Sequence, residues 1–194
     1  MTDEPAAQGP SPETTLRYRG ELVRLAAIEP EADAEVFAEW FDDPMATRLA
    51  GFRPVWPMNR ASAQERLEEW VKASPGTINF AARTIADDRL VGGIGLMDIN
   101  GADGHAQLGL SIYKQDDWGH GYGREMIALA LRYAFNELNL YRVWLTTPGF
   151  NERAMKLYEN LGFRHEGRGR EHILLDGTRW DVVYMGMLRD EFEG

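Results

Sequence analysis

The apolar positions of the chain switch repeatedly between helical and strand-like period. Over Pro30 to Phe41, Val36, Phe37 and Trp40 fall at helical spacing, and Asp42-Asp43-Pro44 reads as the stop. A second helix is predicted over Arg60 to Lys72, with Leu67, Trp70 and Val71 as its apolar stripe and Pro75-Gly76 closing the unit. The pattern then turns strand-like. Thr77 to Thr84, Arg89 to Ile99 and Ala106 to Tyr113 read as three successive strands, with Asp87-Asp88 and Asn100-Gly101 in the turns between them. That turn chemistry suits antiparallel hairpins. Helical spacing returns over Gly123 to Leu138, where Ile127, Ala130, Leu131, Ala134, Phe135 and Leu138 share one face. A short strand, Arg142 to Thr147, ends at Pro148-Gly149. A helix over Glu152 to Leu161 ends at Gly162, a residue suited to the left-handed position after a helix. Phe163 to Leu175 and Thr178 to Leu188 close the chain as a hairpin around Asp176-Gly177, and Leu16 to Arg24 opens it as a strand or short hairpin around Gly20. Strand, two helices, three antiparallel strands, helix, strand, helix and two strands make an α+β arrangement with a mixed sheet.

Composition narrows this picture. A length of 194 residues suits one domain. Residues 1–14 are rich in Pro, Ala and acid, with no large apolar residue after Met1. They are expected to be a disordered tail, leaving 15–194 as the domain. The absence of cysteine removes disulfides, thiolate metal sites and a cysteine nucleophile. The net charge is -10, and the body stays acidic without the tail's Asp3, Glu4 and Glu13. That argues against nucleic acid as a partner, since phosphate-backbone binding needs a basic surface. The most apolar helical stretch, Met126 to Phe135, is interrupted by Arg132 and too short to cross a bilayer. The N-terminus lacks a basic segment followed by an apolar one, so no secretory signal is expected and the cytoplasm is the expected location.

Candidate chemistry begins after the third of the successive strands. Trp118-Gly119-His120-Gly121-Tyr122-Gly123-Arg124-Glu125 puts glycine at every second position and runs straight into the best helix. The first turn of a helix leaves backbone N–H groups unpaired at the positive end of the macrodipole, and glycines let an oxygen-rich anion approach. Phosphate or pyrophosphate is the natural ligand, and a tight turn is the alternative. The loop lacks the Gly-Lys-Ser/Thr end of a Walker loop. It also lacks the G-x-G-x-x-G spacing and downstream acid of a dinucleotide site, which argues against a nicotinamide-dependent oxidoreductase.

The helix after Pro148-Gly149 adds a second candidate. Asn151 is placed to cap it, Ala154 leaves no capping-box partner, and Tyr158 follows two turns along the same face. That face offers an amide, a gap and a phenol.

Together, Trp118 to Glu125 and Asn151-Glu152-Arg153-Ala154-Met155-Lys156-Leu157-Tyr158-Glu159-Asn160-Leu161-Gly162-Phe163 resemble the two signature motifs of the GNAT superfamily of acetyl-CoA-dependent N-acetyltransferases. Trp118, Leu161-Gly162-Phe163 and the last hairpin are most similar to the branch of ribosomal-protein N-terminal (RimJ/RimL-type) and spermidine acetyltransferases. The resemblance covers about Leu16 to Leu188. It implies an α+β fold with a mixed, mostly antiparallel central sheet, splayed at the acetyl-CoA site and flanked by helices.

By that resemblance, the pantetheine arm pairs with Ser111, Ile112 and Tyr113, where a backbone N–H would also hold the developing oxyanion. The pyrophosphate is expected on Gly119, His120, Gly121, Tyr122, Gly123 and Arg124, behind Trp118. Asn151 and Arg153 complete the cofactor set. Tyr158 matches the family's general acid and Asp98 is the candidate base, with His105 or water as alternatives, since Gln107 stands where relatives often carry Glu. No metal is implied. The acceptor would be a primary amine: a protein N-terminus, a polyamine or a small amine, with a protein or peptide amine favoured by the branch. The acidic residues Glu29, Glu31, Glu35, Glu39, Asp42 and Asp43 are candidates to receive a polyamine, and Trp56 to line the acceptor pocket. A homodimer is a further expectation, from the edge strands and six tryptophans. The rival from another class is a non-catalytic acyl-CoA-binding module of the same fold.

Overall fold

The computed structural model describes residues 18–52, 54–72 and 75–193. The chain runs β1 (Val23–Ala26), α1 (Pro30–Phe41), α2 (Pro44–Leu49), α3 (Arg60–Val71), β2 (Ile78–Thr84), β3 (Leu90–Asn100) and β4 (His105–Ile112). It continues through α4 (Tyr122–Arg132), β5 (Arg142–Pro148), α5 (Glu152–Glu159), β6 (Arg164–Leu175) and β7 (Thr178–Leu188). The expected tail 1–14 lies outside the described residues, as do the first two residues of the predicted opening strand.

The seven strands form one sheet in the order β1-β2-β3-β4-β5-β7-β6. All neighbours are antiparallel except β4 and β5, which are parallel and paired only over His105–Gln107 against Arg142–Trp144. Beyond Gln107 the two strands part, and the sheet is split along the rest of β4.

Each face of the sheet carries its own apolar cluster. Alternation puts successive side chains on opposite faces, so Ala82 joins the cluster beneath α4 and Ala81 the one beneath α1 and α3. Leu96 is fully buried in the first cluster. Leu96→Ala is expected to cost about 2–5 kcal/mol, through lost burial and the cavity left behind. Urea unfolding should show this as a lower midpoint at unchanged slope; an unmoved midpoint would contradict the packing.

Three elements differ from the sequence reading. Asp43 does not only end α1. Its carboxylate accepts from the N–H groups of Met45 and Ala46, both at 3.0 Å, and starts α2 with Pro44 in the first turn. Val71 is 50% exposed, so the buried stripe of α3 is Ala63 and Leu67. The long predicted helix leaves α-geometry after Arg132 and widens into a π-turn over Tyr133–Glu137.

Candidate functional site

The glycine loop presents a run of backbone N–H donors. Gly119 and Gly121 take φ of +83° and +89°, the left-handed region that favours glycine. Gly121 is the cap of α4. Among the described residues, the first α4 N–H with a protein acceptor is that of Glu125, on the Gly121 carbonyl at 3.1 Å; none of the N–H groups of residues 119–124 has one. Arg124 lines the same space and spends only one long contact, 3.4 Å, on the Asn160 carbonyl. Glu125 does not neutralise the loop. Its carboxylate accepts from the N–H groups of Glu21, Leu22 and Val23 at 2.7, 2.8 and 2.6 Å.

The split beside β4 supplies the second part. Partners in an antiparallel pair alternate between exchanging hydrogen bonds and not doing so. Tyr113 donates to the Val91 carbonyl at 2.9 Å, which sets the phase. Tyr113, Ser111 and Gly109 therefore bond toward β3, while Leu110 and Ile112 turn their backbone groups toward the split. The Trp118 indole donates to the Ile112 carbonyl at 3.4 Å, as that phase requires. The open groups are thus Leu110 and Ile112, and Leu110 was missed by the sequence reading. Tyr113 departs from its expected cofactor role. Its N–H is used inside the sheet, and its ring is buried against α1 in the opposite cluster.

The third part is α5. Asn151 accepts from the Ala154 N–H at 3.3 Å through Oδ1, so it caps the helix as its position suggests, and its amide N–H groups have no acceptor among the described residues. The Arg153 guanidinium lies over the Trp118 ring, 3.9 Å from its centroid, and burial lowers its pKa. Tyr158 is 7% exposed and lines the cleft, and burial pushes its phenol up to about 12. It therefore holds its proton at neutral pH.

These parts enclose a cavity of about 320 Å³ that runs from the glycine loop past Asn151 to Tyr158 and Leu110. A second cavity, of about 520 Å³, opens on the α1–α3 face of the sheet. Gly93, Gly95 and Gly109 line it, and any side chain at Gly95 would run into Asn79. The two cavities share Ala50, Leu110 and Ser111. They meet where β4 loses its partner.

Asp98 lines the second cavity, exposed, at φ +50°, where the β3–β4 register slips. It is the one carboxylate among the described lining residues. His105 is half-buried as the first residue of β4, not in an exposed turn. His120 is exposed and stacks on Tyr122 at 6.0 Å. The acidic residues of α1 do not line the second cavity. Glu35 and Glu39 pair with Arg60 and Lys114 at 3.9 and 2.9 Å, Glu29 with Arg83 at 3.9 Å, and Asp43 accepts from Gln115 at 2.7 Å. Trp56 is 46% exposed and also stands outside the cavity lining.

A run of donors for an extended anion at one end of a cleft, a protonated phenol at the other and an opening to a second cavity between them suit the transfer of a group from a large carrier to a small acceptor. An acyltransferase has this layout. Residues 23–164 match the family described as acetyltransferase (GNAT) domain, and the chain belongs to that family. The SPbeta prophage-derived uncharacterized N-acetyltransferase YokL of Bacillus subtilis (strain 168) is 30% identical over 177 residues, covering 91% of this chain and 95% of the relative. The spermidine N(1)-acetyltransferase of Vibrio cholerae is 33% identical over 117 residues, covering 59% of this chain and 67% of the relative. The crystal structure of spermidine N-acetyltransferase from Vibrio cholerae in complex with CoA and spermine shares the fold, with a TM-score of 0.77 at 24% identity over 89% of this chain and 98% of that one.

Proposed function

We propose that the protein moves an acetyl group from acetyl-CoA to a primary amine by direct attack. The observation that carries this reading is the set of N–H groups at residues 119–124 without acceptors among the described residues, at one end of a cleft whose other end holds Tyr158. That spacing suits a pyrophosphate at the loop and a thioester at the phenol. Arg124, Asn151 and the Arg153–Trp118 stack flank the path between them. The Leu110 and Ile112 N–H groups face the split and can hold the oxyanion of the tetrahedral intermediate.

The amine enters from the second cavity. Asp98, acting through water, takes the proton that a lysine-like amine carries at neutral pH. The nitrogen lone pair then forms the C–N bond, the C–S bond breaks, and Tyr158 gives its proton to the departing thiolate. The phenol recovers a proton from the product nitrogen through water. Among acceptors, the geometry favours a peptide N-terminus or small amine over a polyamine, since Glu29, Glu35, Glu39 and Asp43 are engaged by Arg83, Arg60, Lys114 and Gln115 outside the second cavity.

Release of free thiol from acetyl-CoA tests this, and a chain without cysteine adds no background. Pools of Ala- and Ser-starting peptides, small amines and spermidine separate the acceptors. We expect release with peptides or small amines, and spermidine no faster than a buffer blank. Acetyl-CoA binding with no release in any pool would favour the non-catalytic module instead.

A further inference from the structure

The second cavity contains a cation that pairs with no carboxylate among the described residues. Arg66 lines it from α3. Its guanidinium stands over the rings of Phe41, Phe52 and Trp56, at 5.7, 5.7 and 5.9 Å from their centroids. Three aromatic contacts hold the group in place by packing and cation–π attraction. Its Nε is buried without an acceptor. Among the described residues no carboxylate pairs with it, whereas Arg83 and Arg89 are matched by Asp33 and Asp117 at 2.6 and 2.8 Å. A buried donor without an acceptor is destabilising. A site that binds an oxyanion supplies the missing acceptor only when occupied.

We propose that Arg66 is the anion receptor of the acceptor site, and that the amine substrate carries a carboxylate or phosphate. The amine end of this assignment rests on the transfer reading above; the anion end does not. Ile28, Trp70 and Met97 supply apolar wall in the same cavity, and Asp98 is its acid. The arrangement suits a zwitterion with an apolar body, such as an amino acid of medium size. It disfavours a polyamine, whose second cation would meet Arg66.

The test uses the whole chain with matched probes: L-methionine and L-phenylalanine, their amides, and the phosphonate analogue of phenylalanine. Each set keeps the amine and side chain and changes only the anion. Thermal shift reads binding and thiol release reads transfer. The acids or the phosphonate should raise the melting temperature and the amides should not, and the better of the two identifies the oxyanion. In Arg66→Gln that shift should vanish and KM for the charged probe should rise about tenfold or more. The shift given by acetyl-CoA should stay close to wild type, since Arg66 does not line the first cavity. Arg66→Lys keeps the charge and the stem, and should retain part of the preference if the glutamine variant packs poorly. Equal response to acids and amides, no response to any charged probe, or a preference unchanged in Arg66→Gln each overturns the proposal. Arg66-dependent binding without thiol release would instead overturn the transfer reading and leave the anion receptor standing.

Discussion

Tyr158→Phe is expected to lower kcat about a hundredfold or more while leaving acetyl-CoA affinity within about twofold. The substitution keeps the ring, its edge contact with Phe163 at 5.9 Å and its burial, and removes only the proton donor. Steady-state kinetics beside calorimetry separates the two effects; equal losses in both would show a packing role. Burial raises this phenol from an ordinary value of 10.0 to about 12. The wild-type rate should therefore show no alkaline fall from Tyr158 below that range. Stability follows with a definite sign. Above pH 10 an unfolded tyrosine ionises while Tyr158 keeps its proton, so the native state binds more protons and stability falls as pH rises through about 12. The phenylalanine variant should lose that part of the alkaline decline.

The second large effect is expected at Gly121. A valine there must hold a branched side chain at φ +89°, a backbone cost of about 1–3 kcal/mol. Its Cβ would also stand 3.0 Å from Leu22 Cδ1. Leu22 is exposed and can turn aside, so the strained φ is what shifts the loop and displaces the N–H groups of residues 119–124. Calorimetric affinity for acetyl-CoA should fall by about a hundredfold or more, a loss of at least two charge-assisted hydrogen bonds. Gly119→Ala is the milder control, because φ is +83° but nothing stands within 4 Å of the new Cβ. Wild-type affinity in a folded Gly121→Val protein would remove the loop from the cofactor site.

Much of the fold was legible because the strands and helices sit where period and turn residues put them. What escaped depended on partners. The Asp43-Pro44 pair was read as a stop, although Asp followed by Pro is also how a helix begins, and α2 starts there. The phase of β4 is invisible in its own residues. Only its pairing with β3 decides that Leu110, and not Tyr113, turns its backbone to the split. Arg66 was passed over for the apolar stripe of its helix, since a cation becomes notable only when its neighbours in space are known. The left-handed turns at Gly119 and Gly121, the Asn151 cap and the α5 position of Tyr158 were legible because each is set by local geometry, a turn or one helix face.

The carboxylate of Glu125 has a consequence for the order in which the chain folds. It ties the first turn of α4 to residues 102–104 positions earlier, and Gly20 leaves the room that this carboxylate occupies. Closing so large a loop carries an entropic cost that short-range helix formation does not. A peptide spanning the glycine loop and α4 can become helical early, yet it lacks the tether that fixes where the helix starts. The ability to hold the carrier molecule should therefore arrive late in refolding, together with the docking of β1 and after most helical signal has returned.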